Sequence, residues 1–389
     1  MRSKVAVLPL IVSLCSAAFS QDLNERARRI QTHVLGIDGH EDTVQHVIYD
    51  NVDLGNRLPD GMVDLPRLRE GGMHVPFFAL WVPTYYKGPD AIRRTLDLRD
   101  AIQRVLDKHP DQIELATSAH DIERIVHHKK IAAVLTIEGG HQINNDLAVL
   151  RMYHRMGILA MTLTHFRNTD WGDSSTDKPE HNGLTDFGKQ VVREMNAIGM
   201  IVDISHVSDK TFYDAIEVST KPVIASHSSC RALSDVPRNM TDDMLRALAK
   251  NGGVVGVNFA ASFLNQQDAD ELKKKVSSES EVPANVTGPA LDQLAAKEYF
   301  DDKHAYQIGH ATVEDAAACI DHVVKVAGID HVGIGSDFDG ISLVPRGLED
   351  VSKMPNLTAA LLRRGYSEKD IRKIMGDNFL RVIREVVGN

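Results

Sequence analysis

Residues 200–227, "MIVDISHVSDKTFYDAIEVSTKPVIASH", decide the fold. A short apolar run ending in His206 is followed by an amphipathic helical pattern, and then by a second apolar run ending in His227. Continuous β-branched runs of strand length are what strands covered on both faces require, and an intervening helix makes such a pair parallel. The same unit recurs in both directions. Upstream lie "VLGID" from Val34, "VPFFALWV" from Val75, "AAVLTIE" from Ala132 and "ILAMTLTH" from Ile158; downstream lie "GVVGVNF" from Gly253 and "HVGIGSD" from His331. Helical patterns such as Asp90 to Lys108 and Asp315 to Ala327 separate them. Eight such units predict an α/β fold, the (β/α)8 TIM barrel, with a doubly wound sheet as the alternative by strand count. The charged stretch from Ala261 to His310 breaks the rhythm as a long insertion between strands 7 and 8. It reads either as a lid over the mouth of the barrel or as a solvated insertion.

The rest of the chain sets limits on function. Its 389 residues are 43% hydrophobic and 25% charged, too apolar for a disordered chain. Lys and Arg number 44 against 54 Asp and Glu, a net charge of −10 that gives no general attraction to nucleic acid. Arg2 and Lys4 precede an apolar run from Val5 to Leu14, and Ala18-Phe19-Ser20 offers a cleavage site. Residues 1–20 therefore read as a signal peptide, leaving 21–389 as one domain of a secreted or periplasmic protein. No later apolar run is long enough for a transmembrane span. Only Cys230 and Cys319 follow the signal, too few for a disulfide framework, although one bridge between them is possible.

In a barrel, chemistry gathers where the strands end, because the loops there surround one mouth. Strand one ends in "DGHED", and in extended backbone the two-residue spacing sends His40 and Asp42 to the same side. Strand three ends in Glu138, four in His165, five in His206, six in His227 and eight in Asp337. Any one of these residues alone reads as structural. His127, His128, His154 and His322 fall in helical patterns and read as surface. The convergence of imidazoles and carboxylates on one mouth suits Zn2+ or a similar divalent ion, and there are more carboxylates than one tetrahedral site uses. That surplus points to a two-metal centre with a bridging carboxylate.

Taken together, "DGHED", "IEGGH", "LTLTH", "DISHVS", "ASHSS", the "RN" at 238–239 and "GIGSDFDG" resemble the membrane dipeptidase (renal dipeptidase) family of the amidohydrolase superfamily, from about Val34 to Val387. The resemblance implies zinc-dependent hydrolysis of dipeptides, including those with a C-terminal D-residue, by a metal-bridged hydroxide. It implies two Zn2+ per chain: His40 and Asp42 on one, His206 and His227 on the other, and Glu138 bridging as part of the catalytic centre. It further implies that His165 contacts the substrate and stabilises the oxyanion, that Arg238 holds the substrate carboxylate, and that Asp337, rather than Asp339, moves the proton. A homodimer is implied as well. The chain lacks the disulfide cysteines and the lipid-anchor signal of mammalian members, and Glu41 and the Ala261 to His310 segment are places where substrate preference can differ. The alternatives are a β-lactam or N-acyl amino acid hydrolase on the same site, and a metal-binding barrel without catalysis.

Overall fold

The computed structural model describes residues 22–274, 286–302 and 306–389, so the signal peptide expected over 1–20 lies outside it. Eight parallel strands form a ring: β1 (Gly36–Glu41), β2 (Met73–Trp81), β3 (Ile131–Glu138), β4 (Ile158–Thr162), β5 (Ile201–Asp203), β6 (Ile224–Ser228), β7 (Val254–Val257) and β8 (Val332–Ile334). Asp38 of β1 stands opposite Ile334 of β8 and closes the ring, so the (β/α)8 barrel holds and the doubly wound sheet does not. Burial raises the pKa of Asp38 to about 6, although the Ser336 N–H at 2.7 Å pulls it the other way. That hydrogen bond ties the chain beyond β8 to β1.

The eight strands are those read from the sequence. Three short ones are additional: Ile113–Leu115 beside the start of β3, and a separate parallel pair, Gln307–Thr312 with Leu343–Arg346. Runs this brief carry too little pattern to stand out. Trp81 is opposite Glu138, Glu138 opposite Thr162, and Thr162 opposite Asp203, so neighbouring strands end level. Helices start soon after the strand-end loops because Thr185, Ser208, Thr241 and Thr312 each accept a first-turn backbone N–H, a cap worth about 1 kcal/mol.

The two ends of the barrel are built differently. Helix Asn378–Val386 buries Phe379, Ile383 and Val386, spaced four and three apart on one face, among Ile37, Val75, Ile201, Ile224 and Val254 from the early part of the strands. This helix floors the barrel. The opposite end is left to polar side chains.

The insertion between β7 and β8 is folded onto the barrel rather than solvated throughout. Helix Pro289–Asp302 buries Leu291 and Ala295, and its Glu298 and Asp292 accept hydrogen bonds from Tyr85 (2.8 Å) and Tyr86 (2.9 Å). Its Tyr299 hydroxyl lies 2.6 Å from both His46 Nδ1 and Asp50 Oδ2. Those partners follow β1 and β2, which places the helix on the face where the strands end. Cys230 and Cys319 are buried free thiols with sulfurs 3.1 Å apart. No helix of the described residues is long and apolar enough to cross a membrane.

Candidate active site

The side chains expected to do chemistry meet at the strand-end face, and Glu138, the last residue of β3, stands at their centre. Its Oε1 lies 2.9 Å from His206 Nε2, 3.3 Å from His227 Nε2, 3.5 Å from His40 Nε2 and 3.7 Å from His165 Nε2. His40 Nε2 is also 3.5 Å from Asp42 Oδ2. Three groups of side chains are each compact enough to hold an ion: His40 with Glu138 and His227, Glu138 with His165 and His206, and His40 with Asp42 and Asp337. Glu138 belongs to two of them, the position a bridging ligand occupies.

Two of the site residues sit farther along the chain than the apolar runs suggested. β5 ends at Asp203 and β8 at Ile334, three residues before His206 and Asp337. The chain leaves the extended conformation there: His206 has φ 66° and Asp337 φ 63°, left-handed values that non-glycine residues seldom adopt and that cluster at functional sites. Gly340 is needed for a different reason. A Cβ there would collide with Asp42 Oδ2 and Asp337 Oδ1.

The electrostatics suit a cation. Burial pushes the pKa values of His206, His227 and His165 well below the usual imidazole range, which keeps these rings neutral and able to offer lone pairs. Burial opposes a charged His40 too, but Glu138 and Asp42 outweigh it, and its pKa rises well above normal. Burial and the nearby Glu138 raise that of Asp42. In the absence of metal, then, the carboxylates favour a proton on His40. His40 Nε2 and Asp42 Oδ1 are buried with no hydrogen-bond partner, as ligand atoms awaiting an ion would be.

His227 also carries its proton on the outer nitrogen. Ser226 Oγ lies 2.5 Å from Asp203 Oδ2 and 2.8 Å from His227 Nδ1. The carboxylate takes the serine's only proton, so the serine oxygen must accept from Nδ1–H, which leaves the Nε2 lone pair facing Glu138. The Asp203–Ser226 pair was not singled out in the sequence, where it looked like ordinary strand filler.

Arg238 is buried rather than on the surface. One nitrogen donates to the His227 carbonyl at 3.2 Å, while Nε and Nη1 are buried without partners. Burial lowers its pKa to about 10, with Asp337 and Glu138 acting in the opposite direction. Asp242, a possible surface partner, bonds to His322 at 2.7 Å. Asp337 accepts from Asn258 Nδ2 at 2.8 Å, and burial raises its pKa to about 6. Asn258, just past β7, was also missed; its signal was its strand-end position, not its residue type. Asp339 is committed elsewhere, to Thr43 Oγ1 (2.8 Å), the Met62 N–H (2.6 Å) and His46 Nε2 (3.3 Å). Glu41 is wholly buried, and burial with Asp38 and Asp339 nearby keeps its carboxyl neutral. Cys230 is no nucleophile: Cys319 and burial hold its thiol protonated.

Known proteins are similar to this chain over nearly its whole length. Residues 24–388 match the membrane dipeptidase family, Peptidase family M19. Dipeptidase tcpJ of Claviceps purpurea (strain 20.1) is 37% identical over 90% of this chain and 76% of its own length. Dipeptidase ataJ of Aspergillus terreus (strain NIH 2624 / FGSC A1156) is 34% identical over 94% and 89%. The crystal structure of the probable dipeptidase PvdM from Pseudomonas aeruginosa, 26% identical, covers 94% of this chain and 99% of that one with a TM-score of 0.76. A metallopeptidase from Rhodobacter sphaeroides, liganded with a phosphinate mimic of the dipeptide L-Ala-D-Ala, is likewise 26% identical, with a TM-score of 0.74 over 91% and 99%. With its barrel, its histidine and carboxylate cluster and a family match spanning all eight strands, the chain belongs to the membrane dipeptidase family, hydrolases of the peptide bond.

Proposed function

We propose that this protein hydrolyses dipeptides, including those with a C-terminal D-residue, with two zinc ions held by His40 and Asp42, by His206 and His227, and by Glu138 between them. The observation that carries this reading is the convergence of three imidazole nitrogens on one Glu138 oxygen, within 2.9 to 3.5 Å. When bound, the ions supply Lewis-acid polarisation of the scissile carbonyl and an acidified water. The protein's own groups do the rest. Arg238, buried with its Nε and Nη1 donors unpartnered, offers its guanidinium to the substrate carboxylate, and so admits only one residue beyond the scissile bond. His165 stands beside the cluster to donate to the developing oxyanion. Asp337, oriented by Asn258, accepts the proton of the attacking water and returns it to the leaving amine. The L-Ala-D-Ala mimic held by the Rhodobacter sphaeroides relative supports tolerance of a C-terminal D-residue.

The test is a dipeptide library with L- and D-residues at each position, run with and without chelator and accompanied by metal analysis. Turnover lost to chelation and restored by zinc, with close to two ions per chain, is expected; no turnover by the zinc-loaded protein overturns the proposal. Arg238→Ala should lower kcat/KM severely for free dipeptides and hardly further for C-terminally amidated ones. The reading extends to a homodimer, secreted or periplasmic after cleavage of residues 1–20, which sedimentation and N-terminal sequencing of protein from the native host would test.

A further inference from the structure

We propose that Trp81 fixes His165 in the tautomer that carries its proton on Nε2, which makes His165 a hydrogen-bond donor to substrate and excludes it from the metal ligands. This rests on the dipeptidase reading for its catalytic consequence, but not for the tautomer itself.

Distance alone cannot separate His165 from its neighbours. It forms a compact group with Glu138 and His206, and its ring centroid lies 4.3 Å from that of His206, a proposed ligand. The outer nitrogen decides between the two roles. The indole Nε1–H of Trp81 points at His165 Nδ1 from 3.3 Å. An indole nitrogen can only donate, so Nδ1 must accept. A neutral imidazole has one proton, and with Nδ1 accepting it stands on Nε2, the nitrogen turned toward Glu138. With Nδ1 occupied as an acceptor, the ring has no place for a second proton and is neutral. To ligate a metal through Nε2, His165 would have to break its bond to Trp81 or lose its only N–H proton and become an imidazolate.

His227 shows the opposite wiring. Its Nδ1–H donates to Ser226 Oγ, whose own hydroxyl donates to Asp203, so its Nε2 turns a lone pair into the cluster, 3.3 Å from Glu138 Oε1 and 2.9 Å from His206 Nε2. Two imidazoles directed at the same carboxylate oxygen are thus given contrary roles by what stands behind them. Both ends of the Trp81–His165 contact are held. Trp81 is the last residue of β2, lies opposite Glu138, and accepts Gln45 Nε2 at its carbonyl (3.0 Å); the His165 carbonyl accepts Ser174 Oγ (2.5 Å). Trp81 does not touch the reacting atoms in this scheme. It is a positioning residue.

Three measurements on the full-length protein test the proposal. In protein labelled with 15N-histidine, the His165 signals, assigned by their loss in His165→Gln, should show a pyridine-type Nδ1 and a pyrrole-type Nε2, both without metal and with zinc. The reverse pattern overturns the proposal whether or not any dipeptide is cleaved. Trp81→Phe keeps an aromatic ring but removes the donor: kcat should fall about 10- to 100-fold with KM and metal content unchanged. In a His165→Gln background, whose side-chain amide has no tautomer to fix, the same change should cost nothing more. An equal loss in both backgrounds would make Trp81 merely structural and refute the idea. Finally, the visible spectrum of the cobalt-substituted protein should be the same in wild type and His165→Gln, and a change of coordination number would show that His165 is a ligand.

Discussion

At the scale of single residues, the site depends as much on what is missing beside a side chain as on what is present. Gly340 leaves the space that the Asp42 carboxylate fills. Gly340→Ala should push Asp42 from its position without touching the core, so that metal content measured after dialysis falls by about one ion per chain while the circular dichroism spectrum is kept. Asp337→Asn preserves shape but removes the proton acceptor. Its kcat should fall by roughly 10²–10⁴-fold with metal content intact, and retained activity would move the role elsewhere. The residues that conduct the chemistry were legible because His, Asp and Glu announce themselves at strand ends. Their supports were not. Strands β2 and β7 end near Trp81 and Asn258, residue types that do not titrate and are not usual zinc ligands, so nothing in their identity marks them out. Yet these two side chains hold His165 and Asp337.

Among the elements, the strands were readable because a parallel barrel demands continuous apolar runs, and their number and order follow from those runs alone. The exits were harder to read. The left-handed φ of His206 and Asp337 results from the site's geometry and leaves no mark on apolar periodicity. The insertion was harder still, because helix Pro289–Asp302 is anchored mainly by polar contacts with residues about 200 to 250 positions away. His46 is central to that anchor, lying between Asp339, Asp50 and Tyr299. Burial opposes its charge, but Asp339 and Asp50 outweigh burial and raise its pKa to about 9. A raised folded-state pKa gives stability that is fully present below the unfolded value near 6.5 and is lost as pH climbs through about 9, in all roughly 3 kcal/mol. Hydrogen exchange of the Pro289–Asp302 amides, corrected for the intrinsic effect of pH, should therefore speed up between pH 7 and pH 10. His46→Asn should exchange fast at both values. An anchor insensitive to pH in the wild type would show that His46 is uncharged there.

For the molecule as a whole, metal binding and protonation are one equilibrium. Glu138 and Asp42 push the pKa of His40 well above normal and so favour a proton on it in the metal-free cluster, and a divalent ion relieves the same excess of negative charge. Loading the metal-free protein should expel that proton, so apparent metal affinity should rise with pH. Calorimetric titrations in two buffers of different ionisation enthalpy would measure the release; identical heats would mean that no proton leaves. Because ions that bind only the folded state stabilise it by mass action, chelation should also lower Tm.

The floor of the barrel has a consequence for how the molecule comes into being. Helix Asn378–Val386 supplies Phe379, Ile383 and Val386 to a cluster whose other members begin with Ile37, and β1 finds its second neighbour only in β8. A ribosome must deliver nearly the entire polypeptide before the first strand has both of its partners and the hydrophobic base is sealed. The ring and its hydrophobic base are therefore completed only near the end of synthesis, by contacts between the two ends of the chain.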